Sequence, residues 1–262
     1  MGARTLDDAV ADLTRIVDEA RAERAALGLF PAMYRTVTQT VSEGIDAGVF
    51  DHPERVERLV TVFADLYLDA YDAHRAGREA PRAWDLAFAF ADAGRGSICQ
   101  HLLLGMNAHI NLDLGIATAE VSTVGDHASL HADYERVNDV LFALLDQLQG
   151  AMGSVSPWMA RLDRIGLGFD EGVMRAGIAS ARDEAWTFST ELLAVEPAQR
   201  IERITERDLQ ARRMGSLLCA RWSMLHHANR VVSWRECRDR ATVIDALGSA
   251  RIDVRSLLAH PA

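Results

Sequence analysis

Along nearly the whole chain, apolar residues recur at intervals of three and four, the period of a helix that buries one side. Val56, Leu59, Val60, Phe63, Tyr67 and Ala70 form one such stripe, and Tyr134, Val137, Leu141, Leu144 and Leu148 form another. No run alternates apolar and polar residues between turn signals, so strands are not expected. The pattern predicts an all-α fold: a single-domain multi-helix bundle over residues 1–262, with a central buried helix near 97–113. The helices are expected at 6–27, 32–47, 53–76, 82–93, 97–113, 127–149, 157–164, 170–194, 197–231, 234–247 and 249–258, to within ~2–4 residues at each end.

The punctuation between stripes fits these elements. Thr5 and Asp8 have the spacing of a capping box, and Pro53 suits a first helical position. Gly48, Gly77 and Gly150 fall where C-terminal caps are needed. Ser156-Pro157-Trp158 reads as the start of a short helix, Pro197 as the start of a long arginine-rich one, and Ser233 with Glu236 as another start. No linker rich in Pro, Gly or Ser separates two cores.

Composition removes several kinds of chemistry. Every one of the 28 basic residues is arginine, which excludes Schiff-base lysine chemistry and the lysine of a phosphate-binding loop. Cys99, Cys219 and Cys237 have no paired spacing and fit neither a disulfide framework nor a thiolate zinc site. With a net charge of −10, sequence-independent nucleic-acid binding is not expected. An arginine-rich stretch at 200–240 alternates with Glu202, Glu206, Asp208, Glu236 and Asp239, as on a solvated helix face. With neither a signal-like apolar run near Met1 nor a span of about 20 apolar residues, a cytoplasmic location is expected.

One segment departs from this background. Between Gln100 and Asp113 an apolar helix carries His101, Asn107, His109, Asn111 and Asp113, polar groups that need partners or a ligand when buried. His101, Gly105, His109 and Asp113 are spaced by four, one turn apart with about 40° of drift. Gly105 leaves a gap between the histidines that would admit a substrate, a metal or another backbone. His109 and Asp113 suit either a metal-ligand pair or a histidine oriented by a carboxylate for general-base work. A lone buried histidine is more often a core residue than a ligand; it is the whole set that points to function.

Weaker candidates lie elsewhere. His127, His131 and Glu135 follow at i, i+4 and i+8, a metal-compatible spacing that also suits an exposed helix start. Of His226 and His227, about 100° apart on a helix, only one can face a shared pocket, and His227 is taken as that fourth metal candidate. Asp163, Asp170 and Glu171 form an acidic stretch of the kind usually solvated. Arg182 and Trp186 share a face at i, i+4 and suit guanidinium stacking or an anion contact beside an aromatic ring. Met106, Trp84, Phe88 and Phe90 read as core.

The run from Tyr34 through Gly77, the string His101-Leu-Leu-Leu-Gly-Met-Asn-Ala-His-Ile-Asn-Leu-Asp-Leu-Gly115, Asp133-Tyr-Glu-Arg-Val-Asn-Asp-Val-Leu141, Ser156-Pro-Trp158 and Ala181-Arg-Asp-Glu-Ala-Trp186 together resemble an uncharacterised, mostly actinobacterial family, domain of unknown function five-nine-nine-five. The resemblance covers roughly residues 30–195. It implies no activity; it marks the string around His109 as the family's hallmark. A fainter likeness of His-Leu-Leu-Leu-Gly to helices of zinc-dependent phospholipase C and single-strand nucleases is an analogy, because their further ligand motifs are missing.

The expectation drawn from these residues is a small-molecule enzyme with a largely apolar pocket between helices. His109, Asp113 and His101 are its catalytic candidates. The same three with His227 are its candidate ligands for a divalent metal ion, and Gly105, Arg182 and Trp186 are its substrate-binding candidates. Metal-assisted hydrolysis of a lipophilic ester or secondary metabolite ranks first, metal-free acid–base isomerisation or cyclisation second. The rival reading is a non-catalytic ligand-binding or scaffold protein.

Overall fold

Helices and turns account for the structured backbone of the computed structural model, which describes residues 4–94, 96–155, 171–224, 239–252 and 254; no strand occurs among them. The helices are α1 (Leu6–Glu23), α2 (Leu29–Asp46), α3 (Pro53–Arg75), α4 (Arg82–Asp92), α5 (Ile98–Ala108), α6 (Leu114–Glu120), α7 (His131–Val155), α8 (Glu171–Ala194), α9 (Pro197–Met224) and α10 (Arg240–Gly248). Short 3₁₀ turns precede α2 and α7, and a π-helical turn, His109–Asp113, joins α5 to α6. None of the described helices is long and apolar enough to cross a membrane.

The local signals behave as their chemistry requires. Thr5 Oγ1 accepts from the Asp8 amide at 3.1 Å while the Asp8 carboxylate accepts from the Thr5 amide at 2.9 Å, closing the capping box. Pro53 opens α3, and Gly48 and Gly77 take φ of 75° and 66° just beyond α2 and α3, a region costly for residues with a Cβ. Gly150 does not end α7, which runs on to Val155. A mid-helix glycine costs only about 1 kcal/mol, and the helix absorbs it. The predicted helix at 249–258 is not helical over 249–252, whereas 157–164, Ser156-Pro157-Trp158, Ser233 and Glu236 lie outside the described residues.

Carboxylates from distant helices cap two helix starts. Asp208 of α9 accepts from the amides of Arg82 and Ala83 at 2.8 Å each, satisfying orphan donors at the start of α4. Asp133 of α7 accepts from the amides of Asp51 and His52 at 2.7 Å, just ahead of α3. Although burial pushes the Asp133 pKa up, these bonds and those from Arg136 and His52 hold it below the usual carboxylate value.

One apolar cluster runs from Leu13 and Ile16 in α1 through Leu29, Tyr67, Trp84 and Leu104 to Val243, Ile244 and Leu247 in α10. The continuous segment α5–π turn–α6 packs against α2, α3, α4, α8 and α9. From Ser97 to Ala119 every residue is buried or half-buried. Leu102 is buried, as expected, but Leu103, Met106 and Ile110 are only half-buried. These three share one face at i, i+3 and i+7, so the incompletely covered side of the segment is its aliphatic one. His101, Asn107, His109 and Asp113 lie inside, and Asn111 is half-buried.

Candidate functional site

The segment starts with a second capping box, Ser97 with Gln100, which fixes where α5 begins. About three turns on, the ladder widens and the Leu114 amide reaches back to the His109 carbonyl, i to i−5. Part of the freed hydrogen-bonding capacity is used from outside, since Arg207 Nε of α9 donates to the Asn111 carbonyl at 2.6 Å. Asn107 Nδ2 donates to the Ala211 carbonyl at 2.8 Å, and Asn111 Nδ2 donates to Asn107 Oδ1 at 3.1 Å. The two asparagines therefore stitch the segment to α9. Gly215 permits the close approach, because a Cβ there would meet Leu86 and Asn107 at 2.9 and 3.2 Å.

On another face of the same turn, His109 and Asp113 form a buried pair, 4% and 2% exposed. His109 Nδ1 and Asp113 Oδ2 are 3.1 Å apart, and Trp84 Nε1 donates to the same Oδ2 at 2.8 Å. The His109 imidazole stacks flat on Phe63, with centroids 3.5 Å apart and 7° between planes. Tyr34 stands nearly perpendicular to it at 4.3 Å, and Phe30, Tyr67 and Trp84 complete an aromatic shell at 5.7–6.4 Å. Nε2 is buried and has no hydrogen-bond partner among the described residues.

Burial controls the charge of this pair. It pulls the His109 pKa well below its ordinary value and pushes that of Asp113 well above, with the Trp84 bond opposing the second shift. Both directions favour a neutral imidazole beside a neutral carboxyl. Such a pair can bond with an Asp113 hydroxyl donating to Nδ1, which would leave the imidazole proton on Nε2, and the Trp84 N–H already points at the oxygen where charge would develop.

Gly105 is not an open notch. A Cβ there would lie 2.3–2.9 Å from atoms of Phe30, so the glycine exists to admit that ring. Phe30 thus occupies the helix position between the two histidines. His101 is buried on its far side, its ring 5.1 Å from Phe90, along a crevice of about 20 Å³ shared with Phe30, Trp84 and Gly105. Among the described residues no three His, Cys, Asp or Glu side chains are grouped so as to hold a metal ion. His226, His227, Cys237, Asp163 and Asp170 fall outside the described residues, and the side chain of Glu171 is not described.

The other candidates form a second aromatic cluster. His127 stacks on Trp186 at 4.0 Å and 13°, and His131 meets the same indole edge-on at 4.6 Å. His127 Nε2 lies 3.2 Å from the hydroxyls of Ser189 and Thr190, while the half-exposed His131 is 3.9 Å from Glu135. Arg182 is 3% exposed, with its guanidinium 4.4 Å over the Tyr134 ring and Nη2 donating to the Tyr134 carbonyl at 2.9 Å. Tyr134 returns a bond from its hydroxyl to the Arg182 carbonyl at 2.8 Å.

Sequence reasoning missed Trp84, Phe63, Phe30, Tyr34 and Arg207 as members of the site. Trp84 and Phe63 look like ordinary stripe residues, and nothing in the local sequence marks Arg207 as a partner of Asn111. The cleft between α8 and α9, about 380 Å³ and lined by Asp183, Glu184, Phe188, Glu191, Arg203 and Arg207 among others, was also unforeseen.

Fold and site together define an all-α protein with a buried His–Asp pair inside an aromatic shell. The model of the Family of unknown function (DUF5995) matches residues 6–221, and the chain belongs to that family. The match extends beyond the 30–195 of the motif strings and takes in most of α9, whose Arg207 and Ala211 hold the site segment and whose Asp208 caps α4. No curated protein and no solved structure matches the chain.

Proposed function

We propose that the chain is a small-molecule enzyme that moves protons on a lipophilic substrate, with His109 and Asp113 as the relay, in a redox-neutral isomerisation or cyclisation. The observation that carries this reading is the buried Nε2 of His109, which lacks a hydrogen-bond partner among the described residues while Nδ1 is engaged by a carboxyl group anchored on an indole. Leaving a buried polar atom unpaired costs about 1–3 kcal/mol, a cost that a working proton donor or acceptor justifies. In the donating direction Nε2–H gives its proton to the substrate, the Asp113 proton passes to Nδ1, and the carboxylate so formed accepts from Trp84. Proton removal from the substrate reverses the sequence.

Metal-assisted hydrolysis is less well supported, because the pair offers two donors and Asp113 Oδ2 already faces both Trp84 and His109. His101 lies beyond Phe30, and among the described residues no third His, Cys, Asp or Glu joins the pair. The tight packing of five aromatic rings around His109 favours the non-catalytic scaffold as the second reading. A substrate reaches His109 only if the shell opens, and Phe63 is its half-buried member.

The test is deuterium incorporation from D₂O into a lipophilic conjugated ketone such as β-ionone, followed by mass spectrometry. Wild type should accelerate exchange over buffer, with and without EDTA, and folded His109→Ala should not. Acceleration abolished by EDTA would favour the metal reading. If exchange is never faster than in buffer, or survives in His109→Ala, the scaffold reading takes its place.

A further inference from the structure

Arg182 presents a problem that the fold alone does not solve. Its side chain is enclosed, yet no carboxylate pairs with it among the described residues. Among the described residues its side-chain partners are one carbonyl and one aromatic face, both from Tyr134, and Nε is buried with no hydrogen bond to any of them. Glu135 and Asp183 act on it electrostatically, but neither forms an ion pair with it. A guanidinium stays charged even when buried, and an enclosed cation without a counter-ion is costly unless an anion joins it.

The surroundings indicate what that anion is attached to. Tyr134, under the guanidinium, packs 5.0 Å from Trp186. Both belong to a cluster with Leu59, Leu114 and Ala185, against which Val62, Phe63, Leu66 and Ile110 lie half-buried. A half-covered apolar strip thus connects the buried cation to Phe63, the ring stacked on His109. Lined by aliphatic and aromatic side chains, it suits a hydrocarbon.

We infer that Arg182 anchors the acid group of a lipophilic anion, a carboxylic acid or a phosphate monoester with an apolar body, which lies along Trp186, Ile110 and Phe63. As a substrate assignment this rests on the preceding reading of His109; as a binding site it does not. Arg182 would act in recognition, through the paired N–H donors that guanidinium offers to carboxylate and phosphate.

The experiment is calorimetric titration of the full chain with decanoate, decyl phosphate and decanol below their aggregation concentrations. Both anions, or one of them, should bind at least about tenfold more tightly than decanol, the scale of one charge-assisted hydrogen bond. Preference for decanoate would identify a carboxylic acid and preference for decyl phosphate a phosphate ester. In Arg182→Gln the advantage over decanol should fall to within about twofold. If that variant does not fold, the wild-type comparison still decides, because equal affinity for anion and alcohol overturns the inference. So does retention of the advantage in folded Arg182→Gln. ¹⁵N signals of the His109 imidazole, recorded in the same titration, separate the two readings. If decanoate binds through Arg182 while those signals stay still, the anion site stands and the His109 chemistry falls.

Discussion

Two buried imidazoles in this molecule each lie flat against an aromatic ring, and burial lowers the pKa of both, yet their partners differ. His109 stacks on Phe63 and faces a carboxyl group, whereas His127 stacks on Trp186 and faces the hydroxyls of Ser189 and Thr190. A hydroxyl partner can orient a ring. A carboxyl partner can also exchange a proton with it, so stacking and burial are shared structural features and the capacity for chemistry lies in the second residue.

The sharpest way to break this contrast is to remove each ring in turn. His109→Ala should cost roughly 2–4 kcal/mol, through a cavity inside the aromatic shell and the loss of the bond to Asp113. His127→Ala, with a polar rim nearby, should cost about half as much. Urea denaturation measures both, and equal losses would mean that the two rings are equivalent packing units.

Charge provides the next test. Unfolding lets His109 take a proton below about pH 6.5, so its lowered pKa makes stability fall as pH drops through that value. Unfolding lets Asp113 ionise above about pH 3.9, so its raised pKa makes stability fall as pH rises beyond that. Between these values the two slopes, each up to about 1.4 kcal/mol per pH unit, cancel. Asp113→Asn, whose amide oxygen can accept both from Trp84 Nε1 and from a His109 Nδ1–H, should remove the alkaline fall and become more stable than wild type above about pH 7. A wild-type advantage that persists at pH 8 would mean that the folded pair is ionised.

The polar stitching to α9 should prove separable from the buried His–Asp pair. Asn107→Ala leaves the Ala211 carbonyl and the Asn111 amide without their partner and should cost about 1–3 kcal/mol. Decanoate affinity should be unchanged, and a parallel loss of binding would merge the two faces into one site. His131→Ala, at a half-exposed ring 3.9 Å from Glu135, should shift stability by no more than about 0.5 kcal/mol. A larger effect would show that its edge contact with Trp186 holds the second cluster together.

Helices, their spacing and most of their ends follow from periodicity, from Thr5 with Asp8, and from Pro53, Gly48 and Gly77, because each of these acts within a few residues of itself. Membership of the family and the concentration of polar groups between Gln100 and Asp113 are likewise local properties of the string. The contact between His109 and Asp113 is legible too, since residues four apart meet on a helix whether the turn is α or π. What occupies the Gly105 gap is not, because Phe30 arrives from a helix more than seventy positions earlier. Nor could spacing reveal that Trp84 would anchor Asp113, that Arg207 would hold the π turn, or that Arg182 would be enclosed with no carboxylate paired to it among the described residues. Those outcomes depend on which helices pack together and how completely they exclude water. Chain-local patterns do not encode that exclusion, and it is burial that sets a common His-x-x-x-Asp spacing against ionisation of the pair.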